Sequence, residues 1–210
     1  MVLMSIGETD PHPRPLTVED LEHTPDDGKR YELVDGRLDV SPAPSLLHAD
    51  INERLSIALF RQSPKGFIRA SGAGINFNAD RTHHRIPDLS VIHRSAREEP
   101  YLTRPPLLAV EIVSKSSVFH DHHIKRFEYA KFGIESYWIV NPGEVAEEAG
   151  IIELRLEDGQ YRDASRAVGR DVFKTDAPFP FSLVPYWLQA DTDDWADHID
   201  GSGIPEEEST

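Results

Sequence analysis

The stretch Pro106-Leu107-Leu108-Ala109-Val110-Glu111-Ile112-Val113 is apolar at every position but one. An unbroken apolar run of strand length reads as a central strand covered on both faces, so the chain must build a sheet with a layer on each side. Glu111 interrupts that run. An ionised carboxylate in such a place costs several kcal/mol, on the order of other buried ions, unless a cation compensates it. Asp88 repeats the anomaly inside Arg85-Ile86-Pro87-Asp88-Leu89-Ser90-Val91-Ile92, a second strand-like stretch with a proline near its start. If the two strands are neighbours, the two acids converge. Like charges in one dry site raise a pKa or take a cation between them, and a hard divalent ion, Mg²⁺ or Mn²⁺, suits oxygen ligands. The competing reading is that each acid pairs with an arginine or faces solvent at a sheet edge.

A helical stretch from His120 to Phe132 follows, stopped by Gly133 and preceded by the polar loop Ser114-Lys115-Ser116-Ser117, in which Ser117 can cap the helix. Asp121, Lys125 and Glu128 share one face of it. A cation held near a metal-bound water stabilises hydroxide and the charge of a phosphoryl transition state. Alternatively, Lys125 forms a surface ion pair with Asp121 or Glu128, worth under ~1 kcal/mol.

The remaining pattern is mixed. Thr17 to Asp20 reads as a short helix start. Asp35-Gly36 between Tyr31–Val34 and Arg37–Val40 is a two-residue hairpin signal. Ser45 caps a helix over about 46–61, with Leu47, Ile51, Leu55, Ala58 and Leu59 at helical spacing. Strands are expected near 67–70, 74–77, 85–93, 107–113 and 136–140, and a second hairpin turns at Asp158-Gly159. Phe179, Phe181, Tyr186, Trp187 and Leu188 are expected to pack on the core. The order implies an α/β fold, a mixed sheet flanked by helices.

Asp88 followed by Glu111 resembles the D…ExK core of the PD-(D/E)XK nucleases, and the chain is most similar to the Uma-two family of restriction-endonuclease-like proteins. The resemblance rests on Tyr31–Gly36, Ser41-Pro42-Ala43-Pro44 with His48, Ile86–Val91, Leu108–Ser114, Asp121 to Lys125, and Gly133–Pro142, over about residues 17–190. It implies a restriction-endonuclease-like fold, with Asp88 and Glu111 as metal ligands and catalytic acids. Glu32 is implied as a further ligand, with His48 and Asp121 in support. Val113 stands where ExK has its lysine, which assigns that role to Lys125. Asn141 replaces the aspartate common in the family's WxVDP ending.

Composition bounds the partners. The net charge of −15 argues against nucleic acid, but its distribution is uneven. Residues 191–210 hold eight acids and no Lys or Arg, whereas 61–131 hold twelve Lys/Arg against seven Asp/Glu and six His. Three sections are therefore expected: an N-terminal arm at 1–15, a nuclease-like domain at 16–190 and an acidic flexible tail at 191–210. The chain has no Cys, which suits a reducing cytoplasm and excludes thiolate metal sites. No apolar run approaches the roughly 20 residues of a membrane span. The expected activity is Mg²⁺- or Mn²⁺-dependent hydrolysis of phosphodiesters in DNA, in a chain for which a homodimer would serve to cut both strands. The alternatives are a catalytically silent nuclease-fold module that binds nucleic acid or protein, and transition-metal binding by His120 and His123.

Overall fold

The computed structural model describes residues 14–113 and 120–201, with backbone alone for 120–123. Three elements precede the large sheet: α1 (Val18–Leu21), then the hairpin β1 (Arg30–Val34) and β2 (Arg37–Ser41). Asp35 and Gly36 both have positive φ, at 49° and 75°, as a type I′ turn requires. Helix α2 (Leu46–Gln62) starts at Ser45, whose hydroxyl accepts the amide of His48. Its periodic residues Ile51, Leu55, Ala58 and Leu59 are fully buried.

The remaining strands complete three sheets. Strands β3 (Phe67–Ser71), β4 (Ile75–Asn76), β5 (His84–Arg85), β6 (Leu89–His93) and β7 (Leu108–Ile112) lead to α3 (His120–Phe132) and β8 (Ser136–Asn141). Then come β9 (Gly150–Glu157), β10 (Gln160–Val168), β11 (Phe173–Thr175), β12 (Phe181–Leu183) and α4 (Trp195–His198). The large sheet has the order β10-β9-β8-β7-β6-β3, the small one β2-β1-β5-β4, and β11 pairs with β12. Only β7 and β8 run parallel in the large sheet, and α3 makes the crossover that a parallel pair needs.

As its sequence requires, β7 is buried along its whole length. Leu108, Val110 and Ile112 face a core shared with α2, Trp138, Phe173, Phe181 and Leu188. Ala109 faces a second core with Tyr129, Ile134, Tyr137 and Tyr161. The expected continuous strand 85–93 is instead two strands in different sheets. Pro87 has no amide hydrogen to give a ladder, and the chain changes sheet over Ile86-Pro87-Asp88. Packing also runs past residue 190: Trp195 and Ile199 join the first core. Residues 1–13, 114–119 and 202–210 lie outside the described residues, and with them the loop and Ser117 cap expected before α3. No described helix is long and apolar enough to cross a membrane.

Candidate active site

Three carboxylates meet where the two sheets join. The β6–β7 ladder pairs Leu89 with Val110 and Ser90 with Ala109. Continued by one step, it sets Asp88 across from Glu111, and directly opposed antiparallel residues share a face. Asp88 has left the ladder, but its Oδ2 accepts the Ile112 amide at 2.7 Å. Glu32 reaches the same place from β1, two residues after Arg30.

Each acid has partners of its own. Asp88 Oδ1 accepts from Arg30 Nη2 at 2.6 Å, and Oδ2 also accepts from His48 Nε2 at 3.1 Å. Against the upward push of burial, His48, Arg30 and the Ile112 amide hold this carboxyl down to about 2. An ionised acid accepts only, so His48 carries its proton on Nε2. Glu111 Oε1 accepts from Tyr129 Oη at 2.6 Å and lies 3.0 Å from Lys125 Nζ. Burial pushes Glu111 up to about 7; Lys125 opposes that push, while Asp88 and Glu32 add to it. Glu32 Oε1 accepts the Ile86 amide at 2.6 Å, and its Oε2 lies 3.2 Å from Arg85 and 3.9 Å from Lys125.

Lys125 is therefore not the surface cation of the competing reading. It is buried, and although burial alone would lower its pKa, Glu111 and Glu32 raise it above the ordinary value. It stays protonated at neutral pH. Glu128, the other candidate partner of Lys125, is instead taken up by Arg85, at 2.8 Å and 3.0 Å, and by His83.

The structure thus gathers Asp88, Glu111, Lys125, Glu32 and His48. Asp121 and the histidines 120, 122 and 123 have side chains outside the described residues. His83 pairs with Asp35 and Glu128, and buried His84 bonds Asn76, so this pair has protein partners. Sequence reasoning missed Arg30, Arg85 and Tyr129. Signals existed: Arg30 alternates with Glu32 along one strand face, and Tyr129 stands one turn after Lys125 on α3.

A hard divalent ion fits the donor set. The donors it would use are carboxylate oxygens, and Glu111 keeps a raised pKa even with Lys125 beside it. Among the described residues no group of three or more His, Cys, Asp or Glu side chains is disposed to enclose a metal. Mg²⁺ needs no such cage, since one or two carboxylates with water and phosphate complete its shell. A groove of about 660 Å³ on the outer flank of α3 is lined by Phe77, His83, Phe127 and Glu128 among others, and touches none of Asp88, Glu111 or Lys125.

The model of the Uma2 family, described as "Putative restriction endonuclease", matches residues 18–188. No curated protein matches the chain. Among solved structures, that of a "putative nuclease belonging to DUF820" from Anabaena variabilis ATCC 29413 is similar with a TM-score of 0.57 and 20% identity. The match covers 71% of this chain and 84% of that one. At this identity the likeness is one of fold, and the mixed α/β architecture is that of a nuclease-like protein.

Proposed function

We propose, from the premise that the chain belongs to the Uma2 family of restriction-endonuclease-like proteins, that it is a divalent-metal-dependent endonuclease acting on phosphodiester bonds in DNA. The single observation that carries this reading is the meeting of Asp88 and Glu111 at one end of the β6–β7 pair, with buried Lys125 3.0 Å from Glu111. Asp88 and Glu111 would hold Mg²⁺ or Mn²⁺, which supplies an activated water and neutralises charge on the phosphoryl group.

The protein's own residues do the positioning. Tyr129 and Lys125 both engage Glu111 Oε1, fixing that carboxylate. Lys125 remains a cation, so it cannot serve as the base. It orients the attacking water by donation and stabilises negative charge as the water oxygen joins phosphorus and the bond to the leaving oxygen breaks; the water's proton passes to solvent, and the leaving oxygen takes one up from it. Glu32 supports the site through Lys125 and Arg85, with the Ile86 amide holding its other oxygen.

The test is cleavage of plasmid and linear DNA with Mg²⁺ or Mn²⁺, comparing wild type with Asp88→Ala and Glu111→Ala. Cleavage confined to the wild type supports the reading; equal cleavage by all three preparations rejects it. A second reading, a silent module that binds nucleic acid or protein, is favoured by one observation. Asp88, Glu32 and Glu111 each already have a cationic partner, in Arg30, Arg85 and Lys125. Calorimetric titration with Mg²⁺ or Mn²⁺ separates the two, because the silent module would show no binding heat that depends on Asp88 and Glu111.

A further inference from the structure

The cations around the three carboxylates differ in access. Arg85 and Lys125 are sealed, with side chains 4% and 8% exposed, whereas Arg30 keeps 24%. Arg30 is also held rigidly. Its Nη1 donates to the Ile86 carbonyl at 3.1 Å and its Nη2 to Asp88 at 2.6 Å. A guanidinium has more N–H groups than these two bonds consume. Asp88, Glu111 and Glu32 all act on it electrostatically, which sets it among the three acids and not at their margin. His48, 18% exposed, occupies the other oxygen of Asp88.

Holding the Asp88 carboxylate in place by hydrogen bonds does not require such a residue. The carboxylate already accepts from His48 and from the Ile112 amide. A partly exposed planar fork, pinned by two bonds and with donors left over, instead matches the oxygens of a phosphate.

We propose that Arg30, flanked by His48, is the phosphate-binding residue at the mouth of this site, contacting non-bridging oxygens of the substrate's phosphodiester. The assignment rests on the nuclease reading and deepens it. Arg30 then holds the substrate against the Asp88–Glu111 pair and meets the charge that develops on the phosphoryl oxygens.

The experiment measures binding of a labelled DNA duplex by fluorescence anisotropy across a salt series, in EDTA and in Ca²⁺, alongside cleavage in Mg²⁺. Arg30→Ala weakens binding about tenfold or more and reduces the slope of log affinity against log salt by about 1. Arg30→Lys keeps the charge beside Asp88, and so the fold, and retains the salt slope; it loses cleavage because the fork is gone. Melting temperatures confirm that both variants are folded. Wild type that binds and cleaves while both variants match it overturns the assignment and leaves the nuclease reading standing. Wild type that neither binds nor cleaves overturns both.

Discussion

Tyr129 and Lys125 converge on the same oxygen of Glu111, at 2.6 Å and 3.0 Å, from positions one turn apart on α3. The helix therefore presents the carboxylate with a neutral and a charged donor at once. Removing the neutral donor alone, by Tyr129→Phe, keeps the ring packed against Phe77 and Tyr137. Metal affinity or activity is expected to fall about 10- to 100-fold, in the range typical of residues that orient ligands, with little change in melting temperature. Calorimetry with Mn²⁺ and steady-state cleavage check this; unchanged values would show the bond to be incidental.

Lys125 and Glu111 form a buried ion pair, and breaking one side of it is costly. Lys125→Met should lose cleavage and about 3 kcal/mol of stability, because Glu111 is left without its cation. Adding Glu111→Gln should recover much of the stability and none of the activity. Urea unfolding of the two single variants and the double variant gives the coupling. Additive losses would show that the pair does not act as a unit.

Metal addition should be visible without any substrate. An ion bound only by the folded protein stabilises it by about 2.7 kcal/mol at a hundredfold excess over Kd. The wild type should melt several degrees higher in Mg²⁺ or Mn²⁺ than in EDTA, and Asp88→Ala and Glu111→Ala should not. An equal rise in all three proteins places the ion elsewhere.

His84 predicts a pH dependence of stability. It is buried, and its Nδ1 donates to Asn76 Oδ1 at 2.6 Å. Burial lowers its pKa from 6.5 to about 4. Between these values the unfolded chain takes up a proton that the folded protein refuses. The contribution is present above about pH 6.5 and is lost as pH falls toward 4, on the order of 3 kcal/mol in all. Urea midpoints at pH 7, 5.5 and 4.5 should fall more steeply for wild type than for His84→Gln. Parallel slopes would remove His84 as the cause.

Much of the site was legible because Glu111 contradicts its surroundings. A lone acid in a greasy run carries its own signal, whereas the β6–β7 register was not legible, because β7 is buried on both faces. Asp35-Gly36, Ser45 and Gly133 marked their elements for similar local reasons. Arg30 had only its alternation with Glu32 to mark it and Arg85 had no mark at all: their partners Asp88 and Glu128 lie far along the chain, and neither arginine stands out locally from a surface one. Tyr129 sat in an ordinary helical pattern. The strand expected over 85–93 failed for one reason, since periodicity continues through Pro87 while the hydrogen-bond ladder does not. His48 was named only in support of the site, and only the fold shows that its ring reaches Asp88. Ile199 is a single apolar residue among acids, too sparse a signal to reveal that it reaches the core.

The switch between sheets at Ile86-Pro87-Asp88 means that the cluster is assembled from two separately built platforms. Arg30 and Glu32 ride on the small one, Glu111 on the large one, and Asp88 stands at the seam. Spacing among these groups is thus set by how one platform is seated on the other, through the apolar core that Ile75 of β4 shares with Ala109 of β7 and Tyr137 of β8. Displacements near 1 Å can cost about a hundredfold in rate. Substitutions in that seating layer should therefore silence the protein while both sheets remain intact.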